Sequence, residues 1–591
     1  MSSGHVWRRA VVTFGAATAM SLAAVAAVAL LRGPVAAQAS AVPVDVVLHN
    51  ARVVTLDPKA SVVEAVAIQG DRIVATGTSA DMRALATGRT KLVDAAGRMV
   101  IPGLADGHLH SKILGIRPGT VDLTPVRSMK ELLDAIAAQI AKSPPGELIT
   151  TTADWHEAQI AERRLPTRWD LDPISPNHPI VVIRGGHEYI LNSAALRKFN
   201  ITRDTPVPPG GKIAKDPARG DITGELVDRA RDLVPLPPLP ERGLDQRLRL
   251  LGEEHRRLNS LGLTSFRNPG TSIEQFKDYQ EMWRRGALTI RISTLIRPDR
   301  APAEQVAKEI ASWGIVGRFG NTMLRFDGIK LGVDGGYEGG WMTRAYEEPY
   351  GEGGTYFGLN TMPREPYLAI VRALNRLDVR PSTHAVGDAA VQLVLDAYEA
   401  ADRERSIAGR RWSIEHAFIT RRDQIDRIKR LGIVLSAQSH LYLAAPSLLQ
   451  YWGRQRTEDV APVRAWLDAG IPVASGTDNK LPYVPEDPLL TFYHWVTRDT
   501  LAGVLGRQHA ISRTEALRIA THGNAYLTFE EDVKGTIEPG KLADLVVVSE
   551  DLLSAPPDRL RQAKVLATIV GGTFVYETPG WASSAVYPRR Y

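Results

Sequence analysis

The sequence predicts an α/β protein: a (β/α)8 barrel, with a small sheet domain contributed by both ends of the chain. Three observations lead there. Short apolar stretches alternate with helix-period segments through the middle of the chain, eight times over. Both ends have a β-rich texture. Histidine, lysine and aspartate recur where the middle strands end, and barrels of this kind assemble their active sites at those ends.

The chain opens on what reads as an export leader. Arg8-Arg9 precede an apolar run of 22 residues, Ala10 to Leu31, and Ala37-Gln38-Ala39 or Ala39-Ser40-Ala41 offers a small-residue cleavage site. The expectation is a periplasmic or extracellular protein, exported by the twin-arginine route to which the paired arginines point. A leader of this length, if retained, would instead anchor the protein in a membrane. Residues 1–41 are therefore set apart from the fold.

Short strands follow in Val46-Val47-Leu48, Ala51-Arg52-Val53-Val54-Thr55 and Ala65-Val66-Ala67-Ile68, separated by turns at Asp57-Pro58 and Gly70-Asp71. The same texture returns at Ala543-Asp544-Leu545-Val546-Val547-Val548 and on to Tyr576. Residues 42–100 and 530–578 are thus expected to share one composite sheet domain. The barrel then occupies 101–529. Its strands are expected at 104–106, 263–266, 290–296, 326–331, 381–383, 412–415, 433–438 and 471–475, with helices over 273–285, 364–376, 389–405, 421–431 and 460–469. This count treats about 115–245 as an insertion. That region has strand-like pieces of its own at 148–152 and 180–184, and a Pro-rich stretch at 235–240.

Composition narrows the function. Hydrophobic residues make up 44% and charged residues 23% of 591, a globular balance. The net charge of +6 includes three leader arginines, and no dense Lys/Arg stripe interleaves with aromatics, so nucleic-acid binding is not expected. There is no cysteine, which excludes disulfides, thiolate ligands and cysteine nucleophiles. The expected partner is a small-molecule substrate; a membrane enters only through a retained leader, and a homo-oligomer is compatible with the sequence.

Asp106-Gly107-His108-Leu109-His110 closes the first strand. Residues two apart on a strand share a face, so both imidazoles are expected to converge on one point. Lys330 lies on the fourth strand, His384 ends the fifth, His416 ends the sixth, and Asp478 follows the eighth. Four neutral imidazoles and a carboxylate are ordinary ligands for zinc-like divalent ions. Asp478 is also expected to handle the proton of a nucleophilic water. His440, just after the seventh strand, is a lesser candidate. His494, His509 and His522 read as structural or surface residues.

Val100-Ile101-Pro102-Gly103-Leu104-Ala105-Asp106-Gly107-His108-Leu109-His110 resembles the opening motif of the amidohydrolase superfamily. Gly535-Thr536-Ile537-Glu538-Pro539-Gly540-Lys541-Leu542-Ala543-Asp544-Leu545 resembles its closing motif. The segments 329–335 and 383–388 resemble its amidohydrolase 3, or YtcJ-like, branch. The resemblance implies a distorted (β/α)8 TIM barrel with a small β-sandwich from both chain ends. It implies one or two divalent ions, zinc first among them: His108, His110 and Asp478 at the buried ion, His384 and His416 at a second, and Lys330 carboxylated on its amine and bridging. His187, in Gly185-Gly186-His187-Glu188-Tyr189, is implied as a substrate contact or carbonyl-polarising group. Asp334, Glu338 and Trp341 follow the fourth strand in a Gly-rich loop, where substrate-binding residues are expected.

The expected activity is hydrolysis of a C–N bond in an amide, N-acyl, carbamate or cyclic ureide substrate. Two alternatives stand beside it: a hydratase, isomerase or decarboxylase on the same fold, and an exported binding protein with a vestigial site.

Overall fold

In a computed structural model, the structure describes residues 44–582, apart from 112–116, 118, 299–300, 316 and 479–486. The leader and its cleavage sites lie outside the described residues.

Eight strands form one parallel sheet, each paired with the next in chain order. They are β1 (Leu104–Asp106), β2 (Leu263–Thr271), β3 (Arg291–Ile296), β4 (Leu324–Gly332), β5 (Pro381–Ala385), β6 (Ser413–His416), β7 (Val434–Gln438) and β8 (Val473–Gly476). The seam closes where Gly107 N–H donates to the Ser475 carbonyl at 2.8 Å. Helices between the strands include Ile273–Arg284, Arg364–Arg376, Asp388–Glu404 and Arg422–Leu431. The helix expected over 460–469 is shorter, Val463–Asp468, because Pro462 precedes its first turn.

β2 outruns its expected end at 266 by five residues, the largest such extension among the barrel strands. β2 continues through Arg267-Asn268-Pro269-Gly270, a polar and Pro-containing run that does not read as strand. It continues because Arg267 points into the barrel, where Asp327 and Glu415 accept from it, while Asn268 on the opposite face donates to the Ser111 carbonyl and to the Tyr279 hydroxyl of the helix that follows.

The second body is a sandwich. A four-stranded sheet holds Val46–His49, Ala65–Gln69, Arg72–Gly77 and Lys91–Asp94. A six-stranded sheet joins Arg52–Val54, Val62–Val63 and Met99–Pro102 to Leu545–Val548, Val565–Val570 and Thr573–Glu577 from the far end of the chain. Leu545–Val548 is buried on both faces. Leu545 and Val547 pack into the sandwich core, while Val546 and Val548 pack against the barrel core. Period-two alternation between two apolar surroundings explains why this strand reads as an unbroken hydrophobic run.

A buried ion pair ties the sandwich to the barrel. Arg291, opening β3, donates two hydrogen bonds to Asp544, at 2.7 and 2.8 Å, and both side chains are about 4% exposed. Asp544→Ala leaves that guanidinium buried without its partner, so unfolding free energy should fall by about 3–5 kcal/mol. Urea denaturation measures this; an unchanged midpoint would contradict it.

The insertion is a third body, a five-stranded sheet ordered Gly211–Lys215, Ile222–Asp228, Glu188–Leu191, Ile180–Arg184, Ile149–Thr150. Ile180–Arg184 matches the expected piece, and the other shrinks to two residues. Its edge bearing Arg184, His187 and Asp228 meets the C-terminal ends of the barrel strands at one cavity.

Candidate metal centre

β1 stops at Asp106, whose carboxylate fastens the barrel seam. It accepts the His108 N–H at 2.9 Å and the Thr477 hydroxyl, just beyond β8, at 2.6 Å. His108 and His110 therefore stand past the strand end. Strand alternation, expected to aim them together, is not what does so; the turn after Asp106 is. Their Nε2 atoms lie 3.4 and 3.1 Å from Asp478 Oδ1. The Asp478 N–H in turn donates to the His108 carbonyl at 2.8 Å, so the two ends hold one another.

β6 and β7 supply the other side. His416 Nε2 lies 3.8 Å and His440 Nε2 3.5 Å from Asp478 Oδ2. Four imidazoles thus surround one carboxylate, and His440, ranked low from sequence, stands among them. Its signal was position: it follows the end of β7 by two residues, as the other histidines follow or end theirs. The His384 ring lies 4.5 Å from that of His416, edge to face. Its Nε2 sits 3.0 Å from the Gly335 carbonyl. A donated Nε2–H there leaves Nδ1 as the lone-pair nitrogen. Lys330, on β4, is buried and lines the same cavity. His416 and Asp478 hold left-handed backbone, φ 73° and 49°. Such conformations are costly for residues with a side chain and cluster at functional sites.

The electrostatics favour ligand forms. Burial, reinforced by neighbouring positive charge, pushes His384 and His416 well below the ordinary imidazole pKa. Burial alone would raise Asp478, but His108 and His110 hold it well below the usual carboxylate range. Burial lowers Lys330 to about 8, against the opposing pull of Glu415 and Asp478. Neutral imidazoles and an ionised carboxylate are the forms that bind metal.

A buried carboxylate the sequence reading overlooked fixes the tautomer of His108. Glu415 Oε2 lies 2.5 Å from His108 Nδ1, and both side chains are all but inaccessible. Glu415 accepts only, so Nδ1 carries the proton and Nε2 keeps its lone pair. Arg267 from β2 donates to Glu415 at 2.7 Å and to Asp327 at 2.9 Å, and the Ser382 hydroxyl donates to Glu415 as well. With Nδ1 so held, His108 Nε2 is a buried nitrogen without a hydrogen-bond partner, as is His416 Nδ1. Ligand atoms of His108, His416 and Asp478 all lie within 4.8 Å of one another. These residues fit a divalent ion of the zinc class. Glu415→Gln should weaken metal affinity by about 10–100-fold, read by competition with a chelator. Unchanged affinity would remove Glu415 from the support of the site.

The centre opens into a cavity of about 790 Å³. Tyr337 and Phe418 stack on one wall, rings 6.2 Å apart, beside His440 and Leu443. His187 reaches the cavity from the insertion, with Nδ1 2.6 Å from Asp228. Burial works to lower its pKa, and Asp228 more than offsets this, leaving it raised. Glu338 lines the cavity but is buried, 3.5 Å from Arg184, which also pairs with Glu157 and Glu188. Asp334 lines it too, yet its carboxylate accepts main-chain N–H groups of Trp341, Val386 and Gly387 at 2.9–3.1 Å. Burial raises it to about 8. Trp341 is not brought to the cavity. The loop folds back, and the Trp341 carbonyl accepts N–H groups of Ala389 and Ala390, capping the helix after β5.

Comparison with known proteins agrees with this geometry. The model of the amidohydrolase family matches residues 91–576. N-substituted formamide deformylase of Arthrobacter pascens is 30% identical over 545 residues, 91% of this chain and 99% of that one. YtcJ of Bacillus subtilis is 26% identical over 543 residues, 90% and 99% of the two chains. Among solved structures, an uncharacterized metal-dependent hydrolase from Pyrococcus furiosus superposes with a TM-score of 0.62 at 26% identity, covering 86% of this chain and all of that one. With the family's motifs in order and its strand-end histidines gathered on one carboxylate, the chain belongs to the amidohydrolase family.

Proposed function

We propose that this enzyme hydrolyses a C–N bond of a small-molecule amide, with N-acyl amines, including formamides, first among the candidates. The observation that carries the reading is the gathering of His108, His110, His416 and His440 on Asp478 at the floor of a 790 Å³ cavity. Support also comes from the formamide deformylase, similar along nearly its whole length.

In this reading His108, His110, His384, His416 and Asp478 hold one or two zinc-class ions. Lys330 takes part as an N6-carboxylate, formed when its amine adds to carbon dioxide and loses a proton. Burial, by lowering the amine to about 8, supplies more of the uncharged form needed for that addition than an ordinary lysine has, and the product replaces a cation beside the ligands with a carboxylate. When bound, such an ion acidifies a water and polarises the carbonyl. Asp478 would accept the proton of the water that attacks the carbonyl carbon. Glu415 keeps the His108 tautomer fixed, and the Tyr337–Phe418 wall receives the apolar part of the substrate away from solvent. The leader, Arg8-Arg9 and the apolar run after them, makes export of the folded enzyme part of the same proposal.

Reaction in oxygen-18 water tests it. Hydrolysis places one labelled oxygen in the carboxylic acid product and releases an amine. An unlabelled product, as from an isomerase, would overturn it.

A further inference from the structure

The insertion brings to the cavity a pair that the barrel lacks. His187 closes the turn just before Glu188–Leu191 and Asp228 ends the antiparallel neighbour Ile222–Asp228, so that the Asp228 N–H donates to the His187 carbonyl at 2.8 Å. The side chains meet at 2.6 Å between Nδ1 and Oδ1. Asp228 is nine-tenths buried and holds its backbone at φ 47°, ψ −114°, a conformation that an L-residue keeps only when its surroundings demand it.

The surroundings are built for it. The loop after β4 reads Gly335-Gly336-Tyr337-Glu338-Gly339-Gly340. A Cβ on Gly335 or on Gly339 would collide with Asp228 Oδ2, and one on Gly336 would press on the His187 ring at 3.0 Å. These glycines let the barrel loop close against the pair. The two elements, more than a hundred residues apart, fit only because one has no side chains there.

The pair also has a definite place relative to the metal centre. Ring neighbours run from His108 to His416 at 4.9 Å, to His384 at 4.5 Å, and to His187 at 6.2 Å. Asp478 touches the first members of this series; His187 stands at its other end. Proton-handling groups therefore flank the ligand cluster on two sides. Amide hydrolysis needs two such groups, one to take a proton from water and one to give a proton to the departing nitrogen.

We propose that the insertion is a catalytic element: His187 donates a proton from Nε2 to the leaving nitrogen, and Asp228 is the positioning residue that fixes the ring by holding Nδ1–H. This rests on the C–N reading given above. The C–N bond breaks with its electron pair kept by nitrogen, and nitrogen takes the Nε2 proton. The oxyanion of the tetrahedral adduct re-forms the carbonyl. The proton that Asp478 took from water restores His187 through solvent.

The test compares leaving groups in the metal-loaded enzyme. N-butylformamide releases a strongly basic amine and needs the proton; 4-nitroformanilide releases a stabilised aniline and needs it far less. His187→Gln should lose about 10²–10⁴-fold in kcat on N-butylformamide and under about 10-fold on 4-nitroformanilide. Asp228→Asn, and Gly339→Ala through collision with Asp228, should show the same leaving-group dependence with smaller losses. Metal content should match wild type in all three. Equal losses on both substrates, or no loss, would overturn the pair's role while leaving the C–N reading in place. A wild-type enzyme that cleaves no amide would overturn both.

Discussion

Asp478→Asn should lower kcat by about 10²–10⁴-fold, the range for removing a general base. The amide is nearly isosteric, and the hydrogen bond from residue 478 to the His108 carbonyl runs through the main chain. The turn after β8 should therefore stay in place, and thermal stability should change little. What is lost is an ionised acceptor that four imidazoles surround. Because the carboxylate is held well below its ordinary range, it is ionised throughout the neutral region, so the wild-type rate should show no titration of Asp478 there. Steady-state kinetics with a metal assay on the same sample separates lost base from lost metal. Full turnover in the variant would remove Asp478 from the chemistry.

Lys330→Ala should be at least as damaging. The side chain is buried on β4, and its surroundings include Glu415 and Asp478. If carboxylated as proposed, it would be among the residues that hold the metal, and losing several kcal/mol of transition-state stabilisation means on the order of 10³-fold or more in rate. The alanine variant should also retain less metal. It leaves room for a short carboxylic acid, so millimolar acetate or propionate should recover part of both activity and bound metal. A structural lysine predicts otherwise: loss of stability, with no recovery by a carboxylate.

Much of the barrel was legible because burial leaves a periodic trace. β1 has the bounds its apolar pattern indicates, and the helix Arg364–Arg376 matches its expected span. Where the reading fell short, the barrel interior was polar. Arg267 and Asn268 look like a loop in sequence, yet they extend β2 because Glu415 and Asp327 wait for Arg267 inside the barrel and Tyr279, on the following helix, waits for Asn268 on the other face. Glu415 was missed for a related reason. It precedes His416, and strand alternation assigns the two to opposite faces. The left-handed turn at His416, φ 73°, breaks that alternation, and both side chains work inside the barrel. The loop after β4 misled in the other direction. Its polar and aromatic residues suggested substrate contacts, but Asp334 and Trp341 hold main chain together, and its glycines make room for Asp228. Long-range fit between an insertion and a barrel loop has no periodic signature, so only the folded chain reveals it.

This cluster of histidines and carboxylates is proposed to hold a catalytic divalent ion. Elemental analysis of the purified wild-type enzyme beside His108→Ala and His416→Ala, with activity measured on the same samples, tests it most directly. Expected are one to two equivalents of zinc, manganese or cobalt per wild-type chain, activity lost on chelation and regained on adding the metal back, and depleted metal in both variants. Wild-type protein that is fully active without bound metal, or variants that keep full metal content, would contradict it.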